Sequence, residues 1–239
     1  MSIKTTRWIT VTLTSLLAVA MTSLAHSKDS LADSIQADYK NRLNDMFEAF
    51  HANPELSLAE FKTSQKIAKE LRGHGFSVTE NVGGTGVVAL LKNGEGPLVM
   101  MRADMDGLPV EEKSGLSYAS TATQLDPVTQ KNFPVMHACG HDVHITSLIG
   151  TAKQMIDRKD QWSGTLMLIG QPAEERVLGA SSMKEANLLQ RFGQHDVALA
   201  FHVFSTLQAG LVIILAVPPF VEANPIHVYA VSYTKPKTP

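Results

Sequence analysis

"GTLMLIGQPAEE", Gly164–Glu175, is an apolar run that stops at a polar one. Leu166 to Ile169 is uninterrupted hydrophobe between two glycines, the pattern of a short strand buried on both faces. Pro172 ends it, and two adjacent carboxylates follow. The arrangement recurs on either side. "PLVMMRADMD", residues 97–106, is an apolar run followed by Arg102, Asp104 and Asp106. "DVALAFHV", residues 196–203, is another, closing on His202. Between these runs lie helical patterns, a helix being expected from His141 to about Met155 and another over "GASSMKEANLL". Strands alternating with helices predict an α/β fold, with a mixed, largely parallel sheet flanked by helices. Sheets of this kind place their sites beyond the carboxyl ends of strands. The three polar clusters sit at such ends.

Upstream, Ile35, Tyr39, Leu43, Met46 and Phe50 share one helical face, so a helix is expected from near Ile35 to Phe50 after a loose polar lead-in. Asn53-Pro54 breaks it. Ser57 and Glu60 have capping-box spacing, and a second amphipathic helix is expected to run to about Arg72, before Gly73 and Gly75. "FSVTENV" and "GVVALL" read as short strands. "GGTG", residues 83–86, lies between them with no helix following, so it reads as a tight turn and not a phosphate loop. Glu111 to Phe133 has no period and reads as a loop.

The chain has 239 residues, 44% hydrophobic and 18% charged, with a formal net charge of -2. That is globular composition, and nothing basic enough for nucleic acid stands out. The N-terminus differs. Lys4 and Arg7 precede a mostly apolar stretch from Trp8 to Leu24, and Ser23-Leu24-Ala25 offers small residues where a signal peptidase reads. Residues 1–25 are therefore expected to be a cleaved signal peptide, and the protein periplasmic or secreted. Thr and Ser dilute the run below the about 20 predominantly apolar residues of a membrane span, so contact with a membrane is expected only through an uncleaved leader.

Export makes the lone cysteine informative. It lies in "MHACGHDVHI", Met136–Ile145, among three histidines and an aspartate. A single cysteine cannot form an internal disulfide. It is then a buried small hydrophobe or a metal ligand. Cys139 and His141 offer a thiolate and an imidazole on either side of a glycine, although that spacing alone is a weak signal. Glu174 and Glu175 diverge as neighbours, so one suits a metal and the other a water as general base. A solvated acidic pair at a helix start is the plainer reading. His202 is either a hydrogen-bonded core histidine or a further ligand. Asp104 and Asp106 can ligate, or orient a ligating histidine, and Arg102 can pair with them.

Six stretches carry a resemblance: "HANPELSLAEFKTS", "VGGTGVVALL", "MRADMDGLPVEE", "MHACGHDVHITSLIGTA", "GQPAEERVLGASSM" and "FHVFSTLQAG". Over residues 51–210 the chain resembles the metal-dependent amidohydrolases that include hippurate hydrolases, N-acyl-amino-acid amidohydrolases and auxin-conjugate hydrolases. The resemblance implies a zinc-exopeptidase-like catalytic domain over residues 38–210. It implies two divalent ions (Zn, Mn, Co or Ni) held by Cys139, His141, Glu175 and His202. Glu174 would be the general base and Asp106 a supporting carboxylate. The implied substrate is a small N-acyl amino acid. The family pattern would continue with a glycine-histidine turn, an inserted lid domain and a late histidine ligand. Residues 211–239 do not carry it, and His227 is a poor substitute for that ligand. The abrupt loss of pattern reads as an out-of-frame tail on a truncated member, which would make an inactive metal-binding fragment the alternative to an active enzyme. A binding protein built on the old site is a third class. The rival reading of the tail is a native strand, "LVIILAV", stopped by Pro218-Pro219.

Overall fold

The computed structural model describes residues 30–203, and the backbone of two short strands at 213–217 and 229–230. The expected signal peptide, His227 and most of the 211–239 tail lie outside the described residues. The chain divides at Ala37/Asp38 into two compact units. The described part of the first is helical: α1 spans Leu31–Asp38, four residues ahead of the expected start. Ser30 is the reason. Its Oγ accepts the Asp33 N–H at 3.1 Å, capping a turn that the polar composition had suggested was loose.

From Asp38 onward the elements follow the expected alternation. A π turn covers Tyr39–Leu43 and leads into α2, Asn44–His51. Then come α3 (Phe61–Gly73), β1 (Ser77–Thr79), β2 (Val87–Asn93) and β3 (Leu98–Asp104). The stretch expected to be a loop contains a small hairpin, β4 (Thr123–Leu125) with β5 (Asn132–Pro134). Asp126 builds its turn by accepting the Val128 N–H at 2.8 Å, a local signal too short to show as a period. After it come α4 (His141–Asp157) and β6 (Gly164–Gln171). The single helix expected over residues 179–189 is two, α5 (Gly179–Glu185) and α6 (Leu188–Phe192). Asn187 at φ 59° separates them, in the left-handed region that asparagine tolerates. The order closes with β7 (Val197–His202), β8 (Ile213–Val217) and β9 (Tyr229–Ala230).

The main sheet has the order β1-β2-β6-β3-β7-β8-β9. It is mixed, with its parallel part confined to the centre: β6, β3 and β7 run together, and the flanking pairs are antiparallel. Register sets Asp104 opposite Gln171 and Arg102 opposite Ala200, so the three parallel strands end level with one another. Alternate residues face opposite layers. Ala89, Leu91, Met101, Ala103, Leu166 and Leu168 pack with Ile67, Leu71, Ile145, Leu148 and Ile149 from α3 and α4. Val88, Met167 and Ile169 pack with Met183 from α5. Each such aliphatic side chain contributes about 1.5–3 kcal/mol by leaving water.

The "GGTG" segment is a tight turn, closed by the Val82 N–H donating to Gly86 O at 2.9 Å. It packs so closely on α5 that a Cβ at Gly83 would meet Met183 N at 2.4 Å.

Because Leu168 is fully buried at the centre of the larger layer, Leu168→Ala should destabilise the chain by about 2–5 kcal/mol. The urea midpoint measures this, and a shift worth under about 1 kcal/mol would mean the layer is not the main core.

Candidate metal centre

The six residues to which the resemblance gives roles converge at the level end of the parallel strands. His202 closes β7, and Asp106 lies two residues beyond β3. Glu174 and Glu175 occupy the turn after β6. Cys139 and His141 flank Gly140 at the start of α4. Gly140 has φ 77°, and a Cβ there would meet Val203 Cγ2 at 2.2 Å, so glycine is required both by the backbone and by the strand end beside it.

His141 is the hub. Its ring is fully buried. Nδ1 lies 3.4 Å from Asp106 Oδ1, while Nε2 lies 3.6 Å from Asp104, 3.7 Å from Glu175 and 3.8 Å from Glu174. Neither nitrogen completes a hydrogen bond, and Glu175 Oε1 is a third buried atom without one. Burial lowers the His141 pKa, but the surrounding carboxylates outweigh it and raise the pKa overall. Cys139 Sγ sits 3.5 Å from His202 Nε2. Burial and the Glu175 charge push its thiol up to about 12.

Asp106 serves the turn and the histidine together. Its carboxylate accepts the backbone N–H groups of Glu174 and Glu175, each at 3.1 Å, and the Ser57 hydroxyl at 2.5 Å. Burial would raise its pKa; His141 and these donors bring it below the usual carboxylate range. Asp104 is different. His144 Nδ1 donates to it at 2.5 Å, and Arg102 Nη1 stands 2.7 Å from its other oxygen. These partners overcome burial and hold it well below the usual range.

The capping box expected at Ser57 and Glu60 is not formed. Ser57 goes to Asp106, and Glu60 accepts the Ala173 N–H at 2.8 Å and the Thr85 hydroxyl at 2.6 Å. The turn after β6 needs those partners more than the helix does, because Ala173 sits at φ 45°. A left-handed non-glycine residue costs about 1–2 kcal/mol.

Sequence reasoning also gave no role to His144, although it shares a helix face with His141 at spacing three. Nor did it assign His51, which joins Asp142 at 2.6 Å to Glu112 at 2.9 Å. A cavity of about 460 Å³ opens beside Cys139 and His202, lined also by Phe47, His51, His137 and Val143. His137 is buried there with both ring nitrogens unpartnered, and burial lowers its pKa to about 4.

The donor set fits a divalent metal. One ligand atom each from Cys139, His141 and Glu175 lie within 4.8 Å of one another, and the same holds for Asp104, His141, His144 and His202. Sulfur, imidazole and carboxylate together suit zinc or a neighbouring transition metal. Three buried atoms that protein groups leave unsatisfied are what a cation would satisfy. His144 is already committed: its Nε2 accepts the Val203 N–H at 3.0 Å while Nδ1 serves Asp104.

A model of peptidase family M20/M25/M40 matches residues 100–236. The chain belongs to that family. The match runs on past Gly210. Thermostable carboxypeptidase 2 of Saccharolobus solfataricus is 41% identical over 165 residues, covering 67% of this chain and 39% of that protein. Hippurate hydrolase of Campylobacter jejuni is 40% identical over 153 residues, covering 64% of this chain and 37% of that protein. Among solved structures, the YXEP protein of Bacillus subtilis, described as a dinuclear metal binding peptidase of the M20 family, is 35% identical with a TM-score of 0.62. That likeness covers 72% of this chain and 45% of that one. The chain thus spans less than half the length of each of these relatives.

Ligation requires the Cys139 thiolate and a neutral His141, and both groups hold their protons more tightly than usual. Metal binding should therefore release protons, and affinity should rise from about pH 6 to about pH 8. Zinc titration calorimetry in buffers of different ionisation enthalpy reads the proton count. Binding that releases none would remove Cys139 from the ligand set.

Proposed function

We propose that the chain is the catalytic part of a metal-dependent amidohydrolase that cleaves the amide bond of N-acyl amino acids, hippurate-like or N-acetylated. The observation that carries this reading is the unsatisfied buried cluster of His141 and Glu175, with the Cys139 thiol beside it and Glu174 at its open side. The names of the relatives support the substrate class. A hippurate hydrolase and a carboxypeptidase both act on an amide whose amine product is an amino acid with a free carboxylate.

Cys139, His141, Glu175 and His202 would hold two divalent ions, with zinc, manganese, cobalt and nickel as the candidates. When bound, such ions supply a Lewis acid that brings the pKa of water from 15.7 to about 7 and polarises the scissile carbonyl. The protein's own residues do the rest. Glu175 is the more buried of the acidic pair, with a side chain 18% exposed against 35% for Glu174. That difference supports giving ligation to Glu175 and proton traffic to Glu174. The Glu174 carboxylate takes a proton from the attacking water and returns it to the leaving amide nitrogen. Asp106 holds both glutamates by their backbone N–H groups, which fixes where that proton is picked up. Asp104, braced by Arg102, keeps its charge and steers His144.

A second reading is metal binding without turnover. It needs only the donor atoms that Cys139, His141 and Glu175 already bring within 4.8 Å of one another. The leader from Met1 to Ala25 supports export to the periplasm under either reading.

Turnover of hippurate and N-acetyl amino acids by the metal-loaded chain separates the two. Glu174→Ala should abolish any turnover and leave metal content unchanged, as read by elemental analysis. Loss of metal in that variant would reverse the assignment of the two glutamates.

A further inference from the structure

Glu60 lies at the start of α3, distant in sequence from every residue of the centre, yet it is completely buried. Its two oxygens are divided between two partners. Oε1 accepts the Ala173 N–H at 2.8 Å, and Oε2 accepts the Thr85 hydroxyl at 2.6 Å. Thr85 belongs to the tight turn between β1 and β2, itself pinned against α5 by Gly83. Ala173 is the left-handed residue directly before Glu174 and Glu175. The following two N–H groups go to Asp106. Three successive backbone donors, 173 to 175, are thereby caged between two buried carboxylates from different parts of the fold.

We propose that Glu60 is a positioning residue for the Glu174–Glu175 pair. Its carboxylate holds Ala173 in the left-handed conformation that turns the chain sharply at the end of β6. That turn sends Glu174 and Glu175 in the different directions their separate roles require. A strand continuing past Gln171 without it would also alternate the two side chains, but along the sheet and away from His141. Asp106 alone cannot do this, because it reaches only the N–H groups of Glu174 and Glu175, beyond Ala173. The Ala173 carbonyl accepts the Leu178 and Gly179 N–H groups at 3.1 and 3.2 Å, and its N–H is held by Glu60, steadied by Thr85. The role rests on the metal-centre reading for its consequence, and not for its geometry.

The test uses the 239-residue chain and three substitutions. Glu60→Gln keeps reach and an acceptor for Ala173 but loses charge. Glu60→Asp keeps charge but loses reach. Glu60→Leu loses both. Amide hydrogen exchange of the metal-free protein reads the turn directly. Exchange at residues 173–175 should quicken in Glu60→Asp and Glu60→Leu, stay near wild type in Glu60→Gln, and leave the β6 core amides unchanged in all three. Cobalt(II) binding reads the consequence: affinity should fall about 10–100-fold in Glu60→Asp and Glu60→Leu, the range for losing a residue that orients a ligand, and be retained in Glu60→Gln. If Glu60→Leu does not fold, the Asp and Gln pair decides. A lower melting temperature with unchanged exchange at 173–175 overturns the proposal and leaves Glu60 a packing residue. A wild-type chain that binds no cobalt sinks the metal-centre reading, and exchange at the turn still decides the role of Glu60.

Discussion

Asp106 carries an ionised carboxylate in a place that admits almost no water. A charge so placed is tolerated only when donors surround it. Here the Ser57 hydroxyl and two consecutive backbone N–H groups donate to it, and the His141 ring stands 3.4 Å away. Each belongs to a different segment: the approach to α3, the turn after β6, and the start of α4. Satisfying one carboxylate therefore fixes three segments relative to the end of β3. Remove the charge and the turn loses two of its acceptors at once, while His141 loses the neighbour that favours its charged form. The site is assembled by the need to solvate Asp106 from within.

The sheet makes that assembly possible. Adjacent parallel strands deliver their carboxyl ends side by side to one edge, and β6, β3 and β7 are paired in that way. The flanking antiparallel strands widen the sheet and bury its faces without contributing to the edge. The register of β6, β3 and β7 keeps the three ends level, so Gln171, Asp104 and His202 lie along one edge of the sheet. A one-residue slip in β3 would turn Asp104 toward the opposite layer and bring Ala103 to its place.

Much of this was legible in the sequence, for physical reasons that also mark where it stopped. Apolar runs capped by polar clusters identified β3, β6 and β7 and the edge they share, because the polar cluster marks where each run ends; β6 is buried on both faces, while β3 and β7 are largely half-buried. Gly140 was legible because a thiol and an imidazole on either side of it cannot turn inward without conformational freedom. Ser57 and Glu60 were misread. Their spacing matches a helix cap, and a local partner is the default when only local sequence is visible. What overrode it is the left-handed Ala173 about 110 residues away, whose N–H has no helical or sheet partner and draws Glu60 across the fold. The hairpin at Thr123–Leu125 and Asn132–Pro134 was missed because three-residue strands are shorter than any window that shows a period. The break at Asn187 was missed because asparagine is tolerated within helices as well as at their ends.

The histidines show how far hydrogen bonding sharpens a donor inventory. His144 and His202 lie with ring centroids 4.7 Å apart and have the same chemistry. His144 accepts the Val203 N–H at Nε2, so its proton is on Nδ1 and goes to Asp104; the ring has nothing left to offer a cation. It is a strap between the ends of β3 and β7. His202 donates from Nδ1 to the Val203 carbonyl at 2.6 Å, which leaves the lone pair on Nε2, the atom that faces Cys139. One peptide unit on either side of Val203 thus fixes both tautomers. Its N–H commits His144 to the frame, and its C=O leaves His202 Nε2 with the free lone pair that the proposed ligation calls for. Side-chain identity alone placed both within reach of a metal. The backbone at the end of β7 is what separates the strap from the proposed ligand.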